Sequence, residues 1–360
     1  MKLDFCEVFD DYTSRCRKIP KEEYLSNGKY IVIDQGKNSI AGYTNVDDGL
    51  FEDVPAIVFG DHTRIIKYVD EPFFLGADGV KLLKSKIKDA NYKYLYYALR
   101  NARIPDTGYN RHFKWLKEIS LEYKDAESQK NIVKILDTVT NIIELCKAEL
   151  SELDNLIKAR FVEMFGDIKA NPYGFEKMAL KDTCTVITGN TPSRSVPEYY
   201  GDSIEWIKTD NIVSGRLSPS QALEYLSDEG IKVGRTVEKG AILMACIAGS
   251  VESIGRVCVT DRKVAFNQQI NAIVPEDYDT LFLHTMLQLS KEYLVEEINM
   301  ALKGILSKSK LEGKEFIVPS IEQQEQFAPF VAQVNKSKVV SQHTTSNPYI
   351  QNLNFAVKWL

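Results

Sequence analysis

The sequence predicts an α+β chain: two α/β globular units in tandem, separated by long coiled-coil-forming helices, the second half a pseudo-repeat of the first. Three observations predict it. A heptad seam runs through the middle of the chain, short strand-type runs bounded by turn residues lie on either side, and the order of elements before the seam recurs after it. At 360 residues the chain is long for a single core, so two or three domains are expected.

Residues 1 to about 30 mix charged and aromatic side chains, with a basic knot at Arg15-Cys16-Arg17-Lys18. From Tyr30 the pattern turns to β-type runs at 30–33, 55–59, 64–69, 72–76 and 79–83, separated by Gly, Asp and Asn. Residues 91–103 read as a helix with Tyr92, Leu95, Tyr96 and Leu99 on one face. A polar segment leads to a last short strand, Ile119-Ser120-Leu121.

The seam occupies Ala126–Phe165. Its apolar positions are Ile132, Leu136, Val139, Ile143, Cys146, Leu150, Leu153, Ile157 and Met164, in alternating steps of four and three. Arg160 stands where a further core residue belongs. No Gly or Pro interrupts the stretch before Gly166, and a helix of that length spans roughly 60 Å. Such a stripe needs a partner strip.

The second unit repeats the first. Strand-type runs at 184–188, 204–207, 240–248, 255–259 and 270–274 precede a helical stretch at 280–300, a strand at 316–318 and a helix from about 321. Residues 79–83 align with 270–274, 94–99 with 282–287, and Glu127-Ser128-Gln129 with Glu322-Gln323-Gln324, at shifts of about 188 to 195. Ser320 and Gln323 make a capping box for the second helix. Phe327, Val331 and Val334 begin its heptad, matching Ile132, Leu136 and Val139, but Lys338 and Ser341 do not continue it, and Pro348 stops any helix. The expected partner strip therefore covers only about a third of the first seam. Ile143 to Met164 is left for another subunit.

Composition places the chain among globular proteins: 44% hydrophobic, 26% charged, mean hydropathy −0.24. No apolar run is long enough to span a bilayer, and the start lacks the apolar core of a signal peptide. Six cysteines without a Cys-x-x-Cys pair point to a reducing cytoplasm and no structural zinc. The net charge of −5 argues mildly against a nucleic-acid partner, although acidic charge on a helical rod leaves room for local basic segments. Catalytic constellations are missing. Gly304-Ile305-Leu306-Ser307-Lys308 has the wrong spacing for a phosphate loop, the two Asn-Pro-Tyr triplets read as turns, and four scattered histidines make no triad or metal set. An autonomous enzyme is not expected.

What remains is hydrogen-bonding loop chemistry, similarly placed in both halves. The first half offers His62, Thr63, Arg64, Asn110, Arg111, His112 and Lys114. The second offers Asn190, Thr191, Ser193, Arg194, Lys208, Thr209, Asn211, Asn267 and Gln268, then Lys303, Lys308 and Lys310 between serines. Arg, Asn, Gln and His match base edges in a groove, while Lys, Ser and Thr suit phosphates. Taken singly, each cluster also reads as a solvated loop closed by Asx turns. Asn267-Gln268-Gln269 serves equally well as a strand end whose amides satisfy backbone groups.

Nearly the whole chain resembles the specificity subunit of type I restriction–modification systems. The residues that carry the likeness are Ala41-Gly42-Tyr43, Val58-Phe59-Gly60-Asp61-His62-Thr63, Phe74-Leu75-Gly76-Ala77-Asp78-Gly79-Val80 and Tyr109-Asn110-Arg111-His112-Phe113-Lys114. The second half adds Gly189-x-Thr191-Pro192-Ser193, Ile204-x-Trp206-Ile207-x-Thr209, Gly249-Ser250 and Asn267-Gln268-x-Ile270-Asn271-Ala272-Ile273, and residues 153–167 are similar to the family's central conserved region. The resemblance implies a first target-recognition domain at 1–121, a conserved spacer helix at 122–168 and a second target-recognition domain at 169–318. A shortened second helix at 319–340 and an atypical tail at 341–360 complete the division. It implies a non-catalytic subunit in which each domain reads half of a bipartite double-stranded DNA target. The helices set the spacer and dock methyltransferase subunits, and translocase–endonuclease subunits complete the assembly. S-adenosylmethionine, ATP and Mg²⁺ then belong to the partners, and this chain holds none. The competing expectation is a coiled-coil scaffold, or an inactive, truncated subunit, that no longer reads DNA.

Overall fold

The computed structural model describes residues 1–76, 78–108, 110–250, 252–296 and 304–346. They form two compact units, one built on residues 1–144 and the other on 145–345.

In the first unit β1 (Lys2–Asp4) pairs antiparallel with β9 (Ser120–Glu122), so the two ends of the unit meet. A short helix, α1 (Phe5–Val8), leads into β2 (Phe9–Asp11). With β5 (Ala56–Gly60), β6 (Ile66–Val69) and β8 (Val80–Ser85), β2 builds an antiparallel sheet ordered β2-β8-β5-β6. Every residue of β5 is buried, as its unbroken apolar run requires of a central strand. A second sheet holds β3 (Tyr30–Ile33), β4 (Gly42–Thr44) and β7 (Phe73–Leu75), with β3 and β7 parallel. α2 (Tyr92–Arg100) and the short α3 (Phe113–Leu116) complete the unit.

The second unit opens with β10 (Lys177–Ala179), paired antiparallel with β22 (Glu315–Ile317), followed by α5 (Leu180–Thr183). β11 (Cys184–Thr188), β16 (Ile242–Ala245), β18 (Val257–Val259) and β20 (Ile270–Pro275) form an antiparallel sheet ordered β11-β20-β16-β18. A five-stranded sheet takes β12 (Tyr200–Gly201), β13 (Ile204–Ile207), β14 (Tyr225–Leu226), β15 (Thr236–Val237) and β19 (Val264–Phe266), with β13 and β19 parallel. β17 (Ile247–Ala248) pairs with β21 (Gly304–Ile305). The helices are α6 (Asp228–Val233), α7 (Thr280–Leu289), α8 (Lys291–Val295), α9 (Lys308–Glu312) and α10 (Ile321–Ser346).

The two four-stranded sheets share one topology, each unit has one parallel strand pair in its other sheet, and each is closed by a terminal strand pair. The repeat reaches single hydrogen bonds. Buried Gln129 donates to the carbonyl of Lys124 at 2.8 Å, and buried Gln324 to that of Pro319 at 2.9 Å. A tyrosine hydroxyl, from Tyr94 or Tyr278, donates to Glu122 O or Ile317 O, the corresponding carbonyls.

α4 (Ala126–Phe165) is the 40-residue seam helix. Asp125 caps it by accepting from Ser128 N at 2.9 Å. Gly166, at φ +76°, ends it in the left-handed conformation, with its N–H on Val162 O at 2.8 Å. Ile132 and Leu136 are buried in the core of the first unit with Tyr94, Leu95 and Tyr97 of α2. At the other end, Ile157, Phe161 and Phe165 are buried in the core of the second unit with Phe282 of α7 and Phe327, Val331 and Val334 of α10.

Four expectations are corrected. Phe327 to Val334 pack against Ile157 to Phe165, with Phe327 5.6 Å from both Phe161 and Phe165, and not against Ile132 to Val139. The repeat alignment places Phe327 in the role of Ile132, so both serve their own unit's core. Arg160 does not interrupt the stripe: its guanidinium turns outward to Glu163 at 2.8 Å, and Phe161 and Phe165 take the core instead. A straight helix repeats at 3.6 residues, so the buried stripe drifts off a strict heptad by about 20° per repeat. The second helix does not end near 340 but runs to Ser346, so residues 341–346 of the expected tail are helical. Finally, Lys338 and Ser341 do continue its inner face. Both are buried; Lys338 reaches Asp154 at 2.5 Å and Ser341 reaches Glu149 at 2.5 Å. These pairs descend α4 as α10 advances, so the helices run antiparallel with a seam that turns from apolar to polar. Residues 347–360 lie outside the described residues.

Candidate functional site

In the first unit the candidate residues converge on one loop cluster beyond the ends of β3 and β5. Gln35, just past β3, organises it: its Oε1 accepts from His62 N at 3.2 Å, its carbonyl accepts from Thr63 Oγ1 at 2.7 Å, and its Nε2 donates to Asp78 O at 3.3 Å. Gly79, at φ +86°, passes so close that a Cβ there would meet Gln35 Nε2 and His62 Cδ2 at 2.8 Å. Asp61 is buried and accepts from Phe113 N at 2.6 Å through its carboxylate and from His112 N at 2.8 Å through its carbonyl. The cluster thereby fixes the start of α3.

The same contacts decide which candidates face outward. His112 is fully buried, its ring nitrogens beside Asp61 O at 3.0 Å and Thr107 Oγ1 at 3.3 Å, so it belongs to the scaffold and not to the surface. Arg64, at φ +62°, is held by Asp106 at 2.7 Å. The backbone N–H of Gly108, then Arg64, hold the Asp106 carboxyl below the usual carboxylate range. Asn110 is exposed and leans on Thr107 O. Arg111 and Lys114 are exposed and have no ion pair among the described residues; Lys114 lies 4.8 Å over the Trp115 ring.

The second unit gathers its candidates at the ends of β11, β13 and β19. Asn190 is a staple: Oδ1 accepts from Arg235 N at 2.8 Å, Nδ2 donates to Val233 O at 2.8 Å, and its carbonyl accepts from Trp206 Nε1 at 3.3 Å. Asn211 closes its own turn through Lys208 N and Ser220 Oγ, and buried Asn267 closes another through Gln269 N at 3.1 Å. Glu224 bridges Arg194, at 2.5 Å, and Lys208. Both cations lie over the Trp206 ring, at 5.2 and 5.0 Å. Lys208 foremost, then Arg194, hold the Glu224 carboxyl below its ordinary range. Thr191 donates to Gln268 Oε1 and Ser193 pairs with Ser195 at 2.7 Å; all four are exposed, and Thr209 is partly covered. Lys308 and Lys310 lie on α9, Lys308 3.4 Å from Glu312. Lys303 and Tyr109 lie outside the described residues.

α3 and α9 occupy the same place in the repeat, each just before the unit's closing strand. Each is anchored to the residue after a central strand: His112 N donates to Asp61 O at 2.8 Å, and Leu306 N to Cys246 O at 2.9 Å. Each puts lysines at the surface. Sequence reasoning did not single out Gln35, Glu224 or Arg235. Only the turn composition around Gln35 signalled it, and Glu224, just before β14, carried no signal.

The chain belongs to the family of the type I restriction modification DNA specificity domain, whose model matches residues 3–155 and again 172–347. It is similar to the HindI type I restriction enzyme specificity subunit of Haemophilus influenzae, 32% identical over 147 residues that cover 39% of this chain and 31% of that one. It is also similar to the MjaIX specificity subunit of Methanocaldococcus jannaschii, 27% identical over 168 residues, 45% of this chain and 38% of that one. The matched stretches thus span about a third of these relatives' own length. The fold is shared with the S subunit of a type I restriction–modification system from M. genitalium, with a TM-score of 0.64 at 15% identity, over 99% of this chain and 94% of that one.

Proposed function

We propose that this chain is the non-catalytic DNA-recognition subunit of a type I restriction–modification enzyme, acting in the cytoplasm. Each unit reads one half of a bipartite duplex target. The helices set the spacer between the halves and dock methyltransferase subunits, and translocase–endonuclease subunits bind the assembly. S-adenosylmethionine, ATP and Mg²⁺ serve those partners.

The observation that carries this reading is the repeated placement of one device: a loop cluster with a short lysine-bearing helix at the same position in each unit. Two readers of like build are what a bipartite target requires. Base readers are drawn from the outward residues, Arg111, Asn110, Arg194, Thr191 and Gln268. Lys114, Lys308 and Lys310 bind phosphates. Lys208 and Arg194 become available when phosphate displaces Glu224.

Selection from random duplexes, with the methyltransferase partner present, tests the reading. A bipartite motif with a fixed gap is expected. Equal affinity for every duplex rejects it in favour of a helical scaffold that does not read DNA.

A further inference from the structure

A cleft of about 750 Å³ opens in the first unit between β6, the outer face of α2 and the first half of α4, beside the Arg64 loop. Five cations line it, and three are neutralised within the protein. Arg64 is paired with Asp106 at 2.7 Å, and Lys93 with Asp137 at 2.7 Å. Buried Lys67 donates to Asn38 O at 2.6 Å and lies 3.5 Å from the Asp34 carboxylate. The one acid in the wall among the described residues, Asp137, is occupied twice, since it also accepts from Tyr97 OH at 2.7 Å.

Two cations are left over. Lys37 is exposed and has no carboxylate partner among the described residues. Arg100 likewise has none; it donates to Tyr96 OH at 3.0 Å and lies 5.4 Å from that ring's centroid. Tyr96 in turn stands 6.2 Å from Tyr68 with the two rings inclined at 55°, so aromatic rings line the cleft that Lys37 and Arg100 share. Uncompensated positive charge beside tyrosine rings is the chemistry that takes a phosphate ester carrying a planar ring, and the volume lies in the range of small-molecule sites.

The repeat shows that the fold does not demand this arrangement. At the shift that aligns α2 with α7, Lys93, Tyr96 and Arg100 correspond to Leu281, His284 and Gln288, and none of these carries a lysine or arginine charge.

We propose that this cleft binds one nucleotide unit, with its phosphate on Lys37 and Arg100 and its ring side against Tyr96. The nucleotide comes either from solution or from a DNA strand passing the Arg64 loop; the second source rests on the DNA-reading function proposed above.

Titration of the full-length chain with dAMP, and separately with a short random-sequence duplex, tests this with Lys37→Gln, Arg100→Gln and the double variant. Saturable dAMP binding that falls about tenfold in the double variant supports a site for free nucleotide. If dAMP does not saturate, duplex affinity that falls severalfold, with a salt slope shallower by about two, supports a strand phosphate site. Lys37→Gln alters an exposed loop side chain, so its part of either loss is read without risk to folding. An absence of dAMP saturation together with unchanged duplex affinity and salt slope overturns the proposal. A wild-type chain that binds no duplex at all defeats the function proposed above and leaves the dAMP titration alone to decide this one.

Discussion

Arg111 and His112 are neighbours in sequence with opposite surroundings. Arg111 is exposed with no ion pair among the described residues, whereas His112 is buried against the Asp61 carbonyl. Arg111→Ala should therefore relax sequence preference in duplex selection without moving the denaturation midpoint. Asp61→Ala should do the reverse, costing about 1–3 kcal/mol in a denaturant melt because the buried N–H of Phe113 loses its carboxylate. Lys308→Ala should weaken all duplexes alike and reduce the salt slope by about one. If Arg111→Ala and Lys308→Ala act alike, the division into base readers and phosphate binders is wrong. His284 supplies a pH test. Burial first, with Lys338 adding to it, pushes its pKa from 6.5 down to about 4. The unfolded chain then binds a proton that the folded chain refuses, so stability is intact above pH 6.5 and declines as pH falls toward 4. The loss is at most about 1.4 kcal/mol per pH unit, and melts of His284→Gln should be flatter over that window. The loop clusters of the candidate site were legible in the sequence, but which of their side chains face outward was not. Asn, Asp, Gln and Thr satisfy loop backbones with the same groups that read bases, so Asn190, Asn211 and Asn267 look like readers until their hydrogen bonds are seen.

Helix positions were legible wherever apolar spacing and caps agreed. Ala126–Phe165 is one helix, and Ser320 and Gln323 cap α10 reciprocally, at 3.3 and 3.4 Å. On α2 the core positions are Tyr94, Leu95, Tyr97 and Leu99, and Tyr92 and Tyr96 are only half-buried, since a run rich in tyrosine fits either face. α10 was misread because buried Lys338 and Ser341 look like the end of a stripe. Their partners, Asp154 and Glu149, belong to α4, far away in sequence. The Lys338 side chain is 3% exposed and that of Asp154 56%, so the two halves of the pair are unequal. Lys338→Met keeps the stem and removes the buried charge, and should be neutral or stabilising. Asp154→Ala strands the ammonium and should be the more destabilising change, by about 1 kcal/mol or more in urea melts. A larger loss from Lys338→Met would mean that the pair itself stabilises the helices.

The duplication governs the whole molecule. It was legible as four landmarks in order, and the shared sheet topology and the paired glutamines Gln129 and Gln324 deepen it. Which face of the long helix stays free was not legible, because a heptad pattern does not say which neighbour covers it. Ile142 and Leu145 are 46% and 70% exposed on α4, and Val340 is 74% exposed on α10. Ile142→Asp with Leu145→Asp should leave the melting of the isolated chain unchanged and reduce its co-purification with the methyltransferase partner. Unchanged co-purification would place the docking surface elsewhere. The central claim is that two like-built units read one split sequence. Mapping of methylated bases in cells that carry this chain and its methyltransferase tests it most directly. One bipartite motif with a constant gap, lost when Arg111 and Arg194 are both replaced by Ala, is the predicted result. A contiguous motif, or methylation that ignores this chain, would contradict it.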